Sequence, residues 1–173
     1  MLSSNLIKLR PIQTKDLEKL NKWKNNYDIS KNLGSGFQPI SIDQQRNWME
    51  NMIDLTGNSR RFIIEESNGQ AIGMVGLYNI NFVNRNCDFG IYLGEKEYQG
   101  KGIGSTATRI IVDYAFNNLN LLKIKLLVNQ NNPAINMYKK LGFIDVGKLK
   151  KERFIEGAFI DVILMEKYRD ECD

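Results

Sequence analysis

Residues 99–104 read Gln99-Gly100-Lys101-Gly102-Ile103-Gly104, three glycines in six positions between an apolar stretch and an amphipathic one. No other feature restricts the fold as much. Such a run suits the handover from a strand to a helix N-terminus. Glycine takes the sharp turn there and lets another group approach the backbone without meeting a Cβ. The first amides of the helix lack intrahelical acceptors and lie at the positive end of its dipole, so together they make an anion site. The loop predicts a phosphorylated ligand, with a ligand-free turn as the competing reading.

Spacing narrows the choice. A dinucleotide loop requires Gly-x-Gly-x-x-Gly, and Ser105 stands where its third glycine would fall. A Walker loop places its lysine after the glycines, whereas Lys101 precedes most of them. Gln/Arg-x-x-Gly-x-Gly/Ala fits, with Gln99, Gly102 and Gly104 at the fixed positions.

The flanking sequence sets this loop in a larger order. Leu6 to Ile12 alternates as a strand, with Pro11 at its end. Thr14 is the expected cap of a helix carrying Leu17, Leu20 and Trp23. Ser41-Ile42-Asp43-Gln44 reads as a capping box opening a helix with Trp48, Met49, Met52 and Ile53 on its apolar side, stopping near Gly57. Strands are expected over 61–65, 70–78 and 87–93, with turns at Asn68-Gly69 and Asn84 to Asn86. After the glycine loop, Ile103, Ala107, Ile110, Ile111 and Tyr114 mark one helix face. Leu121 to Val128 is a strand. Asn132-Pro133 starts a helix that Gly142 ends, and a hairpin turns at Glu156-Gly157.

The order is β-α-α-β-β-β-α-β-α-β-β. It predicts a single α/β (α+β) domain over 1–173, with a mixed, mostly antiparallel sheet of about seven strands and about four helices.

Composition excludes several classes of function. The 173 residues contain no histidine, so acid–base work falls to carboxylates, Tyr, Cys, Lys or water, and a histidine metal site is excluded. No apolar run approaches the roughly 18 residues of a membrane helix, and the N-terminus lacks a signal-peptide pattern. Cys87 and Cys172 do not make a disulfide framework, which points to a reduced, cytoplasmic protein. A net charge of +4 is weak support for nucleic-acid binding. The densest basic run, Lys148 to Arg153, reads as a solvated strand end.

A second motif follows the fifth strand: Asn-x-x-Ala-x-x-x-Tyr-x-x-x-Gly-Phe, here Asn131, Ala134, Tyr138, Gly142 and Phe143. With the glycine loop and the element order, it makes the chain resemble the GCN5-related N-acetyltransferase (GNAT) superfamily over its full length. The stretches 60–63, 76–81 and 157–162 resemble the branch with RimJ/RimL-type, spermidine and amino-sugar-nucleotide acetyltransferases. Residues 33–40 depart from the spermidine enzymes, whose acidic, aromatic segment is replaced here by one without a carboxylate.

That resemblance implies an N-acetyltransferase with acetyl-CoA as co-substrate, no metal, and direct attack by a primary amine. It implies an acceptor that is a small amine, an amino sugar nucleotide or a protein N-terminus. A polyamine acceptor and a non-catalytic acyl-CoA-binding module are alternatives. A homodimer is compatible with the family, while nucleic-acid and membrane partners are not expected.

The resemblance assigns the pyrophosphate to the amides of Gln99, Gly100, Lys101, Gly102, Ile103, Gly104 and Ser105. The Lys101 side chain is either an added contact or solvated. The backbone of Ile91, Tyr92 and Leu93 is matched to the pantetheine arm, with a bulge at Gly90 opening the slot. Tyr138 matches the family's acid for the departing sulfur; on periodicity alone it is a core aromatic. Asp88 stands as a base acting through water or as a surface aspartate. Asn131 is a cofactor contact or a cap. Trp23, Trp48 and Phe37 read as core more than substrate wall, and Asp161 binds an amine or backbone.

Overall fold

The turns read from the sequence are where the chain reverses. Gly69 has φ +88°, and its N–H donates to Glu66 O at 2.9 Å. Glu156 and Gly157 both take positive φ, which a two-residue hairpin turn of matching twist requires. The Ser41 capping box forms reciprocally: Gln44 N–H donates to Ser41 Oγ at 3.1 Å, and Ser41 N–H to Gln44 Oε1 at 2.8 Å.

The computed structural model describes residues 2–34, 36–53 and 57–169, without the side chains of Met52 and Ile53. Cys172 and the apolar contacts expected of Met52 and Ile53 lie outside this description. The strands are β1 (Ile7–Pro11), β2 (Arg60–Glu66), β3 (Ala71–Asn81), β4 (Asn86–Leu93), β5 (Lys123–Asn129), β6 (Ile144–Ile155) and β7 (Ala158–Tyr168). The helices are α1 (Leu17–Lys24), α2 (Tyr27–Ser30), α3 (Ile42–Ile53), α4 (Ile103–Asn117) and α5 (Ala134–Lys140). The short α2 is one helix more than expected; Asn26 Oδ1 accepts from Asp28 N–H at its start. Thr14 does not cap α1. It lies within a 3-10 turn, Thr14–Asp16, and the Asp16 carboxylate instead receives Gln13 N–H at 2.8 Å.

The strands form one sheet in the order β1-β2-β3-β4-β5-β7-β6, antiparallel except for the β4–β5 pair. Its two faces carry separate cores. Phe62, Ile64, Val75 and Leu77 pack with Ala107, Ile111 and Ala115 of α4 on one face. Ile63, Ala71 and Met74 pack with Leu20 and Trp23 of α1 and Met49 of α3 on the other. Arg10 fastens the first strand by a two-pronged pair with Asp16, at 2.8 and 2.7 Å, and by its contact with Glu65. No helix among the described residues is long and apolar enough to cross a membrane.

Candidate active site

β4 and β5 pair only at Asn86–Lys123, Cys87–Ile124 and Asp88–Lys125. Past Asp88, β4 continues beside β3 to Leu93 while β5 continues beside β7. The edge of β4 that faced β5 thus presents unpaired N–H and C=O groups, which an extended ligand can bond as a strand would.

The expected bulge at Gly90 is absent. The ladder is regular at Gly76–Gly90, and the irregularity lies in β3 between Tyr78 and Asn81, where Asn79 has φ +49°. Gly90 instead makes room for a ring, since a Cβ there would stand 3.2 Å from Tyr78 Cε2.

The fork opens into a cleft of about 960 Å³. Ile91, Tyr92 and Leu93 line it from β4, and Met137 and Tyr138 from α5. Gln99, Gly100, Gly102, Gly104 and Ser105 also line it. In that loop Gly100 and Gly102 have φ of +74° and +78°, a region L side chains rarely enter. Thr106 N–H is the first in α4 to reach an intrahelical carbonyl, Gly102 O at 3.0 Å. The amides of Ile103, Gly104 and Ser105 therefore have no acceptor within the helix. The Ile103 side chain turns into the core, so only its backbone is available to a ligand. Lys101 does not line the cleft; its ammonium lies over the Tyr98 ring, 5.7 Å from the centroid.

Tyr138 satisfies both readings of its position. Its ring is buried edge-on to Phe89 and Phe143, with centroids 6.0 and 5.8 Å away, and the residue also lines the cleft. Its hydroxyl has no hydrogen-bond partner among the described residues, and burial pushes its pKa up to about 12. The phenol is thus protonated at neutral pH.

A smaller cavity of about 470 Å³ shares Ile91, Asn129 and Tyr138 with the cleft. Asp88 lines it, with one carboxylate oxygen 3.3 Å from Lys125 Nζ and the other accepting from Asn79 Nδ2 at 2.7 Å. Just before α5 it is Asn132 whose Oδ1 receives Ala134 N–H at 2.9 Å, while Asn131 stands exposed on the cleft wall.

Several other expectations are resolved. Trp23 is core, 1% exposed, with its indole N–H donating to Glu95 at 3.2 Å. Trp48 lies beneath the Arg61 guanidinium, and Phe37 packs edge-on to Tyr27. Asp161 is bonded to Lys148 Nζ and Lys151 N–H, at 2.8 and 2.9 Å. Burial pushes the Cys87 thiol up to about 12, which keeps it from serving as a thiolate nucleophile.

The basic run 148–153 predicts solvated cations, yet Arg153 is half-buried and lines the smaller cavity. Strand alternation did not reveal this, because β6 is irregular between Leu149 and Arg153.

A family model described as an acetyltransferase (GNAT) domain matches residues 7–144. Spermidine N(1)-acetyltransferase of Escherichia coli K12 is 34% identical over 166 residues, covering 95% of this chain and 87% of that protein. A putative ribosomal N-acetyltransferase of Bacillus subtilis, YdaF, is 28% identical over 177 residues, covering 96% and 93%. The crystal structure of spermidine N-acetyltransferase from Vibrio cholerae in complex with CoA and spermine superposes with a TM-score of 0.88 at 32% identity, covering 95% of this chain and 96% of that one.

Proposed function

The chain belongs to the GNAT acetyltransferase family and uses acetyl-CoA as co-substrate, and we propose that the acetyl group passes directly to a primary amine entering through the smaller cavity. The amine nitrogen attacks the thioester carbonyl, the C–N bond forms, and the C–S bond breaks to release CoA. From an ammonium acceptor two protons leave the nitrogen, one before attack and one after the C–N bond forms; one is released to solvent and the other balances the proton that the departing thiolate takes up.

The observation that carries this reading is the Tyr138 hydroxyl, protonated and without a hydrogen-bond partner among the described residues, where the two cavities meet. A phenol near 12 and a thiol near 8.5 differ enough that complete proton transfer is uphill by roughly 5 kcal/mol. Tyr138 therefore acts chiefly as a hydrogen-bond donor that stabilises the departing thiolate. The loop amides of Gln99 to Ser105 hold the pyrophosphate, the β4 edge from Ile91 to Leu93 aligns the pantetheine arm, and Asn131 contacts the ligand from the cleft wall. Asp88, already engaged by Asn79 and Lys125, takes the ammonium proton through water.

A polyamine acceptor is the second reading, favoured by similarity to spermidine acetyltransferases over nearly the whole chain. The test is thiol release from acetyl-CoA with a panel of amines that includes spermidine. Amine-dependent release supports the transferase reading. Tight acetyl-CoA binding without release for any amine would favour a non-catalytic acyl-CoA-binding module.

A further inference from the structure

The charged groups lining the smaller cavity are Asp88, Lys125 and Arg153. Asp88 and Lys125 neutralise each other at 3.3 Å. Arg153 is different. Its Nη1 donates to two neutral oxygens, Asn129 Oδ1 at 2.7 Å and Asn32 O at 3.3 Å. No carboxylate pairs with it among the described residues, and its Nε and Nη2 donors have no acceptor there. Burial pulls its pKa below the usual value, as expected of a cation taken from water without a counterion, with Glu152 opposing that shift at a distance.

The backbone aims this side chain deliberately. Between the paired positions Leu149–Val162 and Arg153–Ile160, β6 advances four residues while β7 advances two. The extra residues bulge outward at Lys151, φ +53°, and Arg153 returns toward Asn129. Nη2 then runs beside Gly34, where even a Cβ would stand 3.8 Å from it. Asn129 is itself buried, so the guanidinium is held by a fixed partner.

We propose that Arg153 is a specificity residue that binds an anionic group, a carboxylate or a phosphate, carried by the acceptor amine. An arginine fork held by neutral acceptors keeps its full charge and offers parallel N–H donors, the arrangement that suits bidentate binding of either anion. A polycation would meet an unpaired guanidinium in a cavity whose one carboxylate is already engaged. The inference rests on the transferase reading only in taking this cavity as the acceptor entrance.

Two measurements separate the two ideas. The first is kcat/KM for matched amines: 4-aminobutanoate against 4-aminobutanamide, glucosamine 6-phosphate against glucosamine, and spermidine. The second is calorimetric binding of the same amines to CoA-saturated protein, which requires no turnover. Both use the wild type, Arg153→Gln and the charge-retaining Arg153→Lys.

Wild type is expected to favour an anionic amine over its neutral match roughly ten- to hundredfold. Arg153→Gln should abolish that ratio and Arg153→Lys should keep part of it. The carboxylate and phosphate pairs identify which anion is read. Anion-selective binding lost in Arg153→Gln, without turnover, would uphold the subsite and remove the transferase reading. Turnover with equal or better use of neutral amines or spermidine, or a ratio unchanged in Arg153→Gln, would overturn the inference and leave the transferase reading standing. Binding of neither anionic amine would overturn it as well.

Discussion

Asp88 and Lys125 form both the last rung of the β4–β5 ladder and an ion pair of 3.3 Å, so a charge contact closes the fork at the point where the strands part. Both side chains are about a third or more exposed, at 40% and 32%. Such a pair contributes about 0.2–1 kcal/mol, too little to hold the fork by itself. Its position matters more than its strength.

Asp88→Asn is accordingly expected to change stability by less than about 1 kcal/mol. If Asp88 takes the ammonium proton through water, the variant loses about tenfold in kcat/KM at a pH where the acceptor is protonated. The deficit should shrink as pH rises through the amine's own pKa, because the base is no longer required. A pH–rate profile of both proteins checks this. A deficit independent of pH would mean that the carboxylate only positions its neighbours.

Tyr138→Phe should lower kcat by about a hundredfold while leaving acetyl-CoA affinity within a few-fold. Because burial pushes the phenol up to about 12, the wild type should show no loss of rate from this group below about pH 10. Rates under chemistry-limited conditions, with acetyl-CoA binding measured separately, check both parts. Undiminished turnover would assign Tyr138 to packing against Phe89 and Phe143.

Gly102→Val combines two effects. A branched side chain at φ +78° is strained by at least about 1–2 kcal/mol, and its bulk would stand in the cleft that Gly102 lines. The strain should lower the melting temperature while the fold persists. The rise in melting temperature that saturating acetyl-CoA gives the wild type should disappear. Retention of that rise would show that the loop does not hold the ligand.

Arg10, Asp16 and Glu65 predict stability, not activity. Their side chains are 12%, 3% and 4% exposed, so Arg10→Met leaves two buried carboxylates short of a partner and should cost about 3 kcal/mol. Burial works to raise the Glu65 pKa, but hydrogen bonds from Lys8 and Arg10 together hold it below its usual range. The stability this supplies is complete above the unfolded value of about 4.3 and is lost as pH falls toward the folded value. Denaturant unfolding from pH 7 to pH 3 should therefore show a smaller acid loss in Glu65→Gln than in the wild type.

Much of the fold was legible because its signals are local. Gly69, Gly142 and Gly157 each occupy a positive-φ turn, and the Ser41 box caps α3 with its own side chains. That the glycine loop and Tyr138 line one cleft was legible for a similar reason, since each motif sits at a fixed spacing on one element; the roles given to them are proposals. What escaped was set by contacts distant in sequence. Gly90 gives no bulge because its missing Cβ serves the Tyr78 ring on the neighbouring strand. Arg153 looked like its solvated neighbours until the β6 irregularity turned it toward Asn129, 24 residues away. Asp161, open between two roles in the sequence, is committed to Lys148 and Lys151 by the β6–β7 pairing.

Everything proposed for this chain depends on the cleft between β4 and β5 holding acetyl-CoA through the amides at the start of α4. Calorimetric titration of the purified chain with acetyl-CoA, with NAD as the comparison, tests it most directly. One acetyl-CoA per chain at micromolar affinity and no binding of NAD are expected. Binding of neither, or of both alike, would contradict it.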